Sequence, residues 1–121
     1  MAQKLRRATA ETAAEARDGF LDFWNPGGRE HFREEEELLL PVLARHVPPD
    51  HEDVVRVLTD HVDLRRRAAD LTGDAAPALE SLHDLGRRLD AHIRHEERVL
   101  FPLAERVLSE DELEAVGEAL A

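Results

Sequence analysis

A chain of 121 residues fits one domain around one hydrophobic core, and a single helical bundle domain spanning 1–121 is expected. The composition is 42% apolar and 36% charged, with good helix formers dominant and no long β-branched runs, which argues against a sheet. A formal net charge of −11 disfavours nucleic acid and anionic lipid as partners, and the absence of cysteine excludes disulfides, thiolate metal sites and iron–sulfur clusters.

The first helix is predicted from about Gln3 to Trp24, stopped by the breaker cluster Asn25-Pro26-Gly27-Gly28. The second runs from about Arg29 to Val47 and stops at Pro48-Pro49. Asp50 is placed to cap the third, which runs from about Glu52 to Leu71 and ends at Thr72-Gly73-Asp74. The fourth runs from about Pro77 to Leu108, with the proline in its first turn. Ser109-Glu110-Asp111-Glu112 reads as a capping box that opens a short fifth helix. Short connections between long helices imply an all-α, antiparallel, up-down-up-down four-helix bundle. No stretch is apolar for long enough to span a bilayer and no signal peptide is visible, so a cytoplasmic protein is expected.

Stepping alternately three and four residues traces the core seam of each helix. The second helix gives His31, Glu35, Leu38 and Val42; the third gives Val54, Val57, His61, Leu64, Ala68 and Leu71. The fourth gives Leu82, Leu85, Leu89, His92, Glu96, Val99 and Leu103. Three histidines and two glutamates thus stand where leucines belong. The halves also repeat: HFREEEELLLP (31–41) aligns with HIRHEERVLFP (92–102) without gaps, six of eleven positions being identical. LRRATAE (5–11) aligns more weakly with LRRRAAD (64–70).

A buried carboxylate without a partner costs several kcal/mol or shifts its pKa until it is neutral. Two of them on facing seams also repel, and a divalent cation removes both problems. His and Glu four apart project from one helix face a turn apart, so each pair grips a metal from one side. Imidazole with carboxylate suits iron or manganese and also accepts zinc.

The segments HFREEEELLLP, TDHVDLRR and AHIRHEERVLFP resemble the hemerythrin-like, HHE cation-binding family over nearly the whole chain. The resemblance implies a four-helix bundle with a non-haem di-iron centre. It places the metal ligands on His31, Glu35, His61, His92 and Glu96, with one or two iron ions bound. It also implies oxygen binding or sensing, iron handling, or defence against nitric oxide or peroxide, so the expected partners are metal ions and a small diatomic or peroxide ligand. The family usually adds a histidine from the first helix. The repeat maps that position to Ala2, with Glu11 and Glu15 as conceivable substitutes, so asymmetric occupancy is expected. Arg65 stands where oxygen carriers have a further histidine, a pattern that resembles bacterial members.

Outside the seam, His46 and His51 read as loop and cap residues, His83 as solvent-facing and His95 as flanking. Glu36 and Glu97 are equivalent in the repeat and read as solvated, or as acceptors for ligand imidazole N–H groups. Pro41 and Pro102 should kink their helices, and Phe20, Phe23 and Trp24 should close one end of the core. The competing function is a degenerate bundle serving as a structural or interaction module, or one stabilised by zinc.

Overall fold

The computed structural model describes residues 1–120, whose regular structure is all helical, with no strand among them. The helices are α1 (Ala2–Arg6), α2 (Ala13–Phe23), α3 (29–43), α4 (Glu52–Thr72), α5 (79–107) and α6 (Glu110–Leu120). Together α1 and α2 form one arm of an antiparallel four-helix bundle, α3, α4 and α5 form the others, and α6 is the additional C-terminal helix. Among the described residues no helix is long and apolar enough to cross a membrane.

The first arm is broken, where one continuous helix from Gln3 to Trp24 was expected. Thr12 Oγ1 accepts the Thr9 N–H at 2.9 Å, a local bond that replaces a helical carbonyl. The carbonyl of Ala8 accepts instead from His83 Nε2 at 2.8 Å. His83 is therefore half-buried rather than solvated, because it satisfies a backbone group that the break leaves free.

The α1 helix lies close on α5 at Gly86. A Cβ there would stand 2.8 Å from both the Ala2 carbonyl oxygen and the Arg6 nitrogen, and backbone cannot give way as a flexible side chain can. Gly86→Ala is expected to cost about 2 kcal/mol, within the range for overpacking. Gly19→Ala meets open space in α2 and should instead stabilise by roughly 0.5–1 kcal/mol. Urea denaturation of the two variants checks both signs.

Pro41 and Pro102 produce a wide turn upstream rather than a simple kink. Leu40 N–H donates to the Glu35 carbonyl and Phe101 N–H to the Glu96 carbonyl, so Glu35–Leu39 and Glu96–Leu100 are π turns. Each accommodates the donor that the following proline lacks. The extra residue advances the inward phase by one position. Leu38 and Val99, expected in the seam, are 38% and 37% exposed, while Leu39 and Leu100 are 4% and 0% exposed. Val42 is only half-buried, and Leu43 takes the inward place.

All six seam residues expected in α4 are buried. Its cap is His51 rather than Asp50: His51 Nδ1 accepts the Asp53 N–H at 3.1 Å. The Ser109 box forms, with Ser109 N–H donating to Glu112 Oε1 at 2.9 Å and Glu112 N–H donating to Ser109 Oγ at 3.1 Å.

Buried side chains fall into two apolar clusters. One joins Leu5, Phe20, Trp24 and Phe32 to Leu64, Leu82, Leu85 and Leu89. The other joins Leu39, Leu43, Val54, Val57, Leu100 and Leu103, with Leu113 and Val116 of α6 against it. Along α3 the inward order is Phe32, Glu35, Leu39; along α4 it is Val57, His61, Leu64; along α5 it is Leu89, His92, Glu96, Leu100. The polar residues therefore form a layer between two cores. The first arm contributes only to the first core, and α6 packs on α3 to close the second.

Candidate metal centre

Glu35 from α3, His61 from α4, and His92 and Glu96 from α5 each offer a ligand atom, and these atoms lie within 4.8 Å of one another. The four residues are 0%, 1%, 1% and 6% exposed, in that order, and are the buried polar residues of the described chain. His31, the fifth residue of the expected set, stays at the rim. Its side chain is 53% exposed, with Nε2 3.1 Å from Glu35 Oε1.

The repeat breaks at this point. His92 turns inward and Ile93 is 42% exposed, whereas Phe32, equivalent to Ile93, is 5% exposed and His31 turns outward. Positions three and four before a buried glutamate share a helix face, so either can point in. Phe32 does so because aromatic surfaces await it. It stacks on His61 with centroids 3.9 Å apart and rings 6° from parallel, and meets His92 edge-on at 5.4 Å and Trp24 at 5.2 Å. Of the three aromatics expected to close the core, Phe20 and Trp24 are buried but Phe23 is 43% exposed.

Five atoms of the cluster are buried without an aligned hydrogen-bond partner: both carboxylate oxygens of Glu35, Glu96 Oε2, His61 Nε2 and His92 Nε2. His92 Nε2 lies 2.5 Å from Glu96 Oε1, yet the pair lacks hydrogen-bond alignment. Burial pushes the Glu35 carboxyl up to about 7, with Glu96 adding to the shift and His31 opposing it. Burial also opposes ionisation of Glu96, but His92 and Glu35 outweigh it and hold that carboxyl at about 2. The two glutamates form a coupled pair in which Glu35 retains the proton. Burial lowers the His61 pKa; it also opposes the charge on His92, but Glu96 and Asp60 raise that value.

The outer nitrogens of both buried imidazoles have carboxylate partners. His61 Nδ1 lies 2.6 Å from Glu36 Oε2, and Arg65 Nη2 donates to the same oxygen at 3.0 Å. Despite partial burial, Arg65 and His61 hold the Glu36 carboxyl below its ordinary range. His92 Nδ1 lies 3.0 Å from Asp60 Oδ2, and Arg56 Nε donates to both Asp60 oxygens at 3.1 Å. Asp60 was missed in the sequence. Its signal was the run Arg56-x-x-x-Asp60-His61, an acid beside a seam histidine with a cation one turn back. Glu97, the repeat equivalent of Glu36, is exposed.

The remaining histidines lie outside the cluster. His46 Nε2 contacts Glu112 Oε1 at 2.7 Å and ties α6 down. His95, expected on the flank, has a side chain only 9% exposed, with Nε2 3.5 Å from Asp53 Oδ1. Glu11 and Glu15 are both exposed.

A family model described as the hemerythrin HHE cation-binding domain matches residues 1–104. The chain belongs to the hemerythrin HHE cation-binding family. Helix α6 lies beyond the matched segment and packs on the second core. No curated protein and no solved structure matches the chain. The orphaned nitrogens and oxygens fit the cation that the family binds, because a metal held by Glu35, His61, His92 and Glu96 would offset their lost solvation.

Proposed function

We propose that this protein binds iron through Glu35, His61, His92 and Glu96, and uses it to bind or sense a diatomic or peroxide ligand or to handle iron. The carrying observation is the set of five buried atoms on these four residues that no aligned hydrogen bond satisfies. Two imidazoles and carboxylates without thiolate suit non-haem iron, which would supply a redox-active Lewis acid at this layer. His31, exposed beside Glu35, is the donor nearest the open side and would complete or release a coordination position. Elemental analysis of protein purified under iron-replete conditions, together with visible absorption of the oxidised centre, tests the reading; a colourless protein free of iron would defeat it.

A zinc-stabilised structural bundle is the second reading. It is favoured by the closeness of four donors, enough to saturate a tetrahedral ion. Zinc retained where iron is not would select it.

Metal affinity should depend on pH with a definite sign. The Glu35 carboxyl, raised to about 7, carries a proton below that pH, and a bound metal must displace it. Affinity is expected to fall roughly tenfold per unit as pH drops below about 7, and to level off in Glu35's contribution above it. Titrations at pH 6, 7 and 8 (on the order of one-unit steps) check this; affinity that does not change across that range would contradict it.

A further inference from the structure

We propose that Asp60 and Glu36, held by Arg56 and Arg65, are positioning residues that lock His92 and His61 with the Nε2 lone pair facing the cluster. The purpose assigned to this lock rests on the metal reading above, but the lock itself rests on geometry alone.

A neutral imidazole carries its proton on one nitrogen and can ligate a metal only through the other. An ionised carboxylate only accepts hydrogen bonds, so the carboxylate that lies along a ring N–H direction draws the proton to that nitrogen and leaves the other nitrogen free to ligate. The short contacts of Glu36 with His61 and of Asp60 with His92 both fall on Nδ1. The Nε2 atoms of the same two rings face the cluster, His61 Nε2 at 3.8 Å from Glu35 Oε1 and His92 Nε2 at 2.5 Å from Glu96 Oε1, and neither contact has hydrogen-bond alignment.

Each carboxylate is fixed in turn. Arg56, four residues before Asp60 on α4, donates from one nitrogen to both of its oxygens. Arg65, four residues after His61 on the same helix, donates to both oxygens of Glu36, at 3.3 Å and 3.0 Å. An Arg–Asp pair at this spacing on an exposed helix face contributes under about 1 kcal/mol to stability, so stability alone gives little reason for the arrangement. Its consequence lies across the helix boundaries. The neighbours Asp60 and His61 take opposite parts, one acid reaching out to α5 and one imidazole receiving an acid from α3. The α4 helix thereby sets the orientation of imidazoles from two helices. His31 contacts Glu35 through Nε2 and shows no carboxylate on Nδ1 among the described residues, so it serves as an internal control.

The test uses Asp60→Asn and Glu36→Gln in the full chain. In Asp60→Asn, Arg56 keeps the amide oxygen and the NH2 group turns to His92 Nδ1. The ring proton then moves to Nε2, where it blocks ligation. Nitrogen-15 NMR of the metal-free protein, with pH raised until the ring shifts stop changing, reads the tautomers of the neutral rings directly. Wild type should show Nδ1–H for His61 and His92. Asp60→Asn should flip His92 alone, Glu36→Gln should flip His61 alone, and His31 should not respond to either. Affinity for ferrous iron or zinc should fall about 10- to 100-fold in each variant while circular dichroism stays native. A purely packing role would leave the tautomers unmoved, and unmoved tautomers in both variants would overturn the proposal whether or not wild type binds metal. Wild type that binds neither metal yet shows both locked tautomers would instead defeat only the metal reading. Should one variant fail to fold, the other carries the same test on its own histidine.

Discussion

Glu35→Leu is expected to make the metal-free protein more stable at pH 8 (roughly one unit above the Glu35 value), and to abolish the stabilisation that metal gives wild type. Glu35 is fully buried with neither oxygen in an aligned hydrogen bond, His31 Nε2 at 3.1 Å being its one basic neighbour at the rim, and it faces the Glu96 carboxylate. Without metal this carboxylate opposes folding, and a leucine of similar volume removes the penalty. Replacing buried charge by well-packed apolar groups commonly yields about 1–4 kcal/mol. With metal the sign reverses. A ligand at a thousand times its dissociation constant stabilises the folded state by about 4 kcal/mol. At roughly 4 °C per kcal/mol for a chain of this size, wild type should melt some 15 °C higher with metal than without. Thermal melts of both proteins with and without ferrous iron or zinc give four numbers. The reading predicts a crossover, with leucine ahead in the metal-free pair and behind in the metal-loaded pair. A leucine variant that is less stable without metal and still stabilised by it would sink the assignment of Glu35 to the centre.

Leu100→Ala should cost about 2–5 kcal/mol, and Val99→Ala well under half of that. Leu100 is fully buried between Leu39 and Leu103 in the second core, while Val99 is 37% exposed. A regular helix continuing from Glu96 would bury residue 99, so the pair measures the phase set by the π turn. The same contrast is expected for Leu39→Ala against Leu38→Ala, because the first π turn shifts α3 in the same direction. Urea denaturation of the four variants checks it, and equal losses within each pair would mean that the π turns are absent in solution.

Much of this architecture was legible in the chain. The helices, the positions of most breakers, the α4 seam and the capping box at Ser109 follow from local rules: apolar residues three and four apart, Pro and Gly at the stops, Ser with Glu three residues on. Each rule needs only residues a turn away, so each survives without knowledge of neighbours. The appearance of His61, His92, Glu35 and Glu96 on leucine seams was legible for the same reason, since a seam is a property of one helix.

What the sequence left open was whatever depends on a second helix. His31 and Phe32 share the permitted face before Glu35, and the choice fell to Phe32 because Trp24 and the His61 ring offer aromatic surfaces to it. Glu36 and Glu97 are equivalent by repeat, yet only Glu36 meets an imidazole, because α4 presents His61 to Glu36 whereas the first arm brings Ala2 against Gly86, about three turns before the exposed Glu97. The prolines announced a disturbance, but whether it became a kink or an added residue depended on packing downstream of Glu35 and Glu96. The first arm stops short of the second core, so α6 had to fold back to cover it, guided by Leu113, Val116 and the His46–Glu112 contact. Sequence thus determined which residues are polar in the core. Tertiary structure decided which of them face each other, because side-chain pairing across helices is set by close packing between neighbours rather than by the period of any one helix.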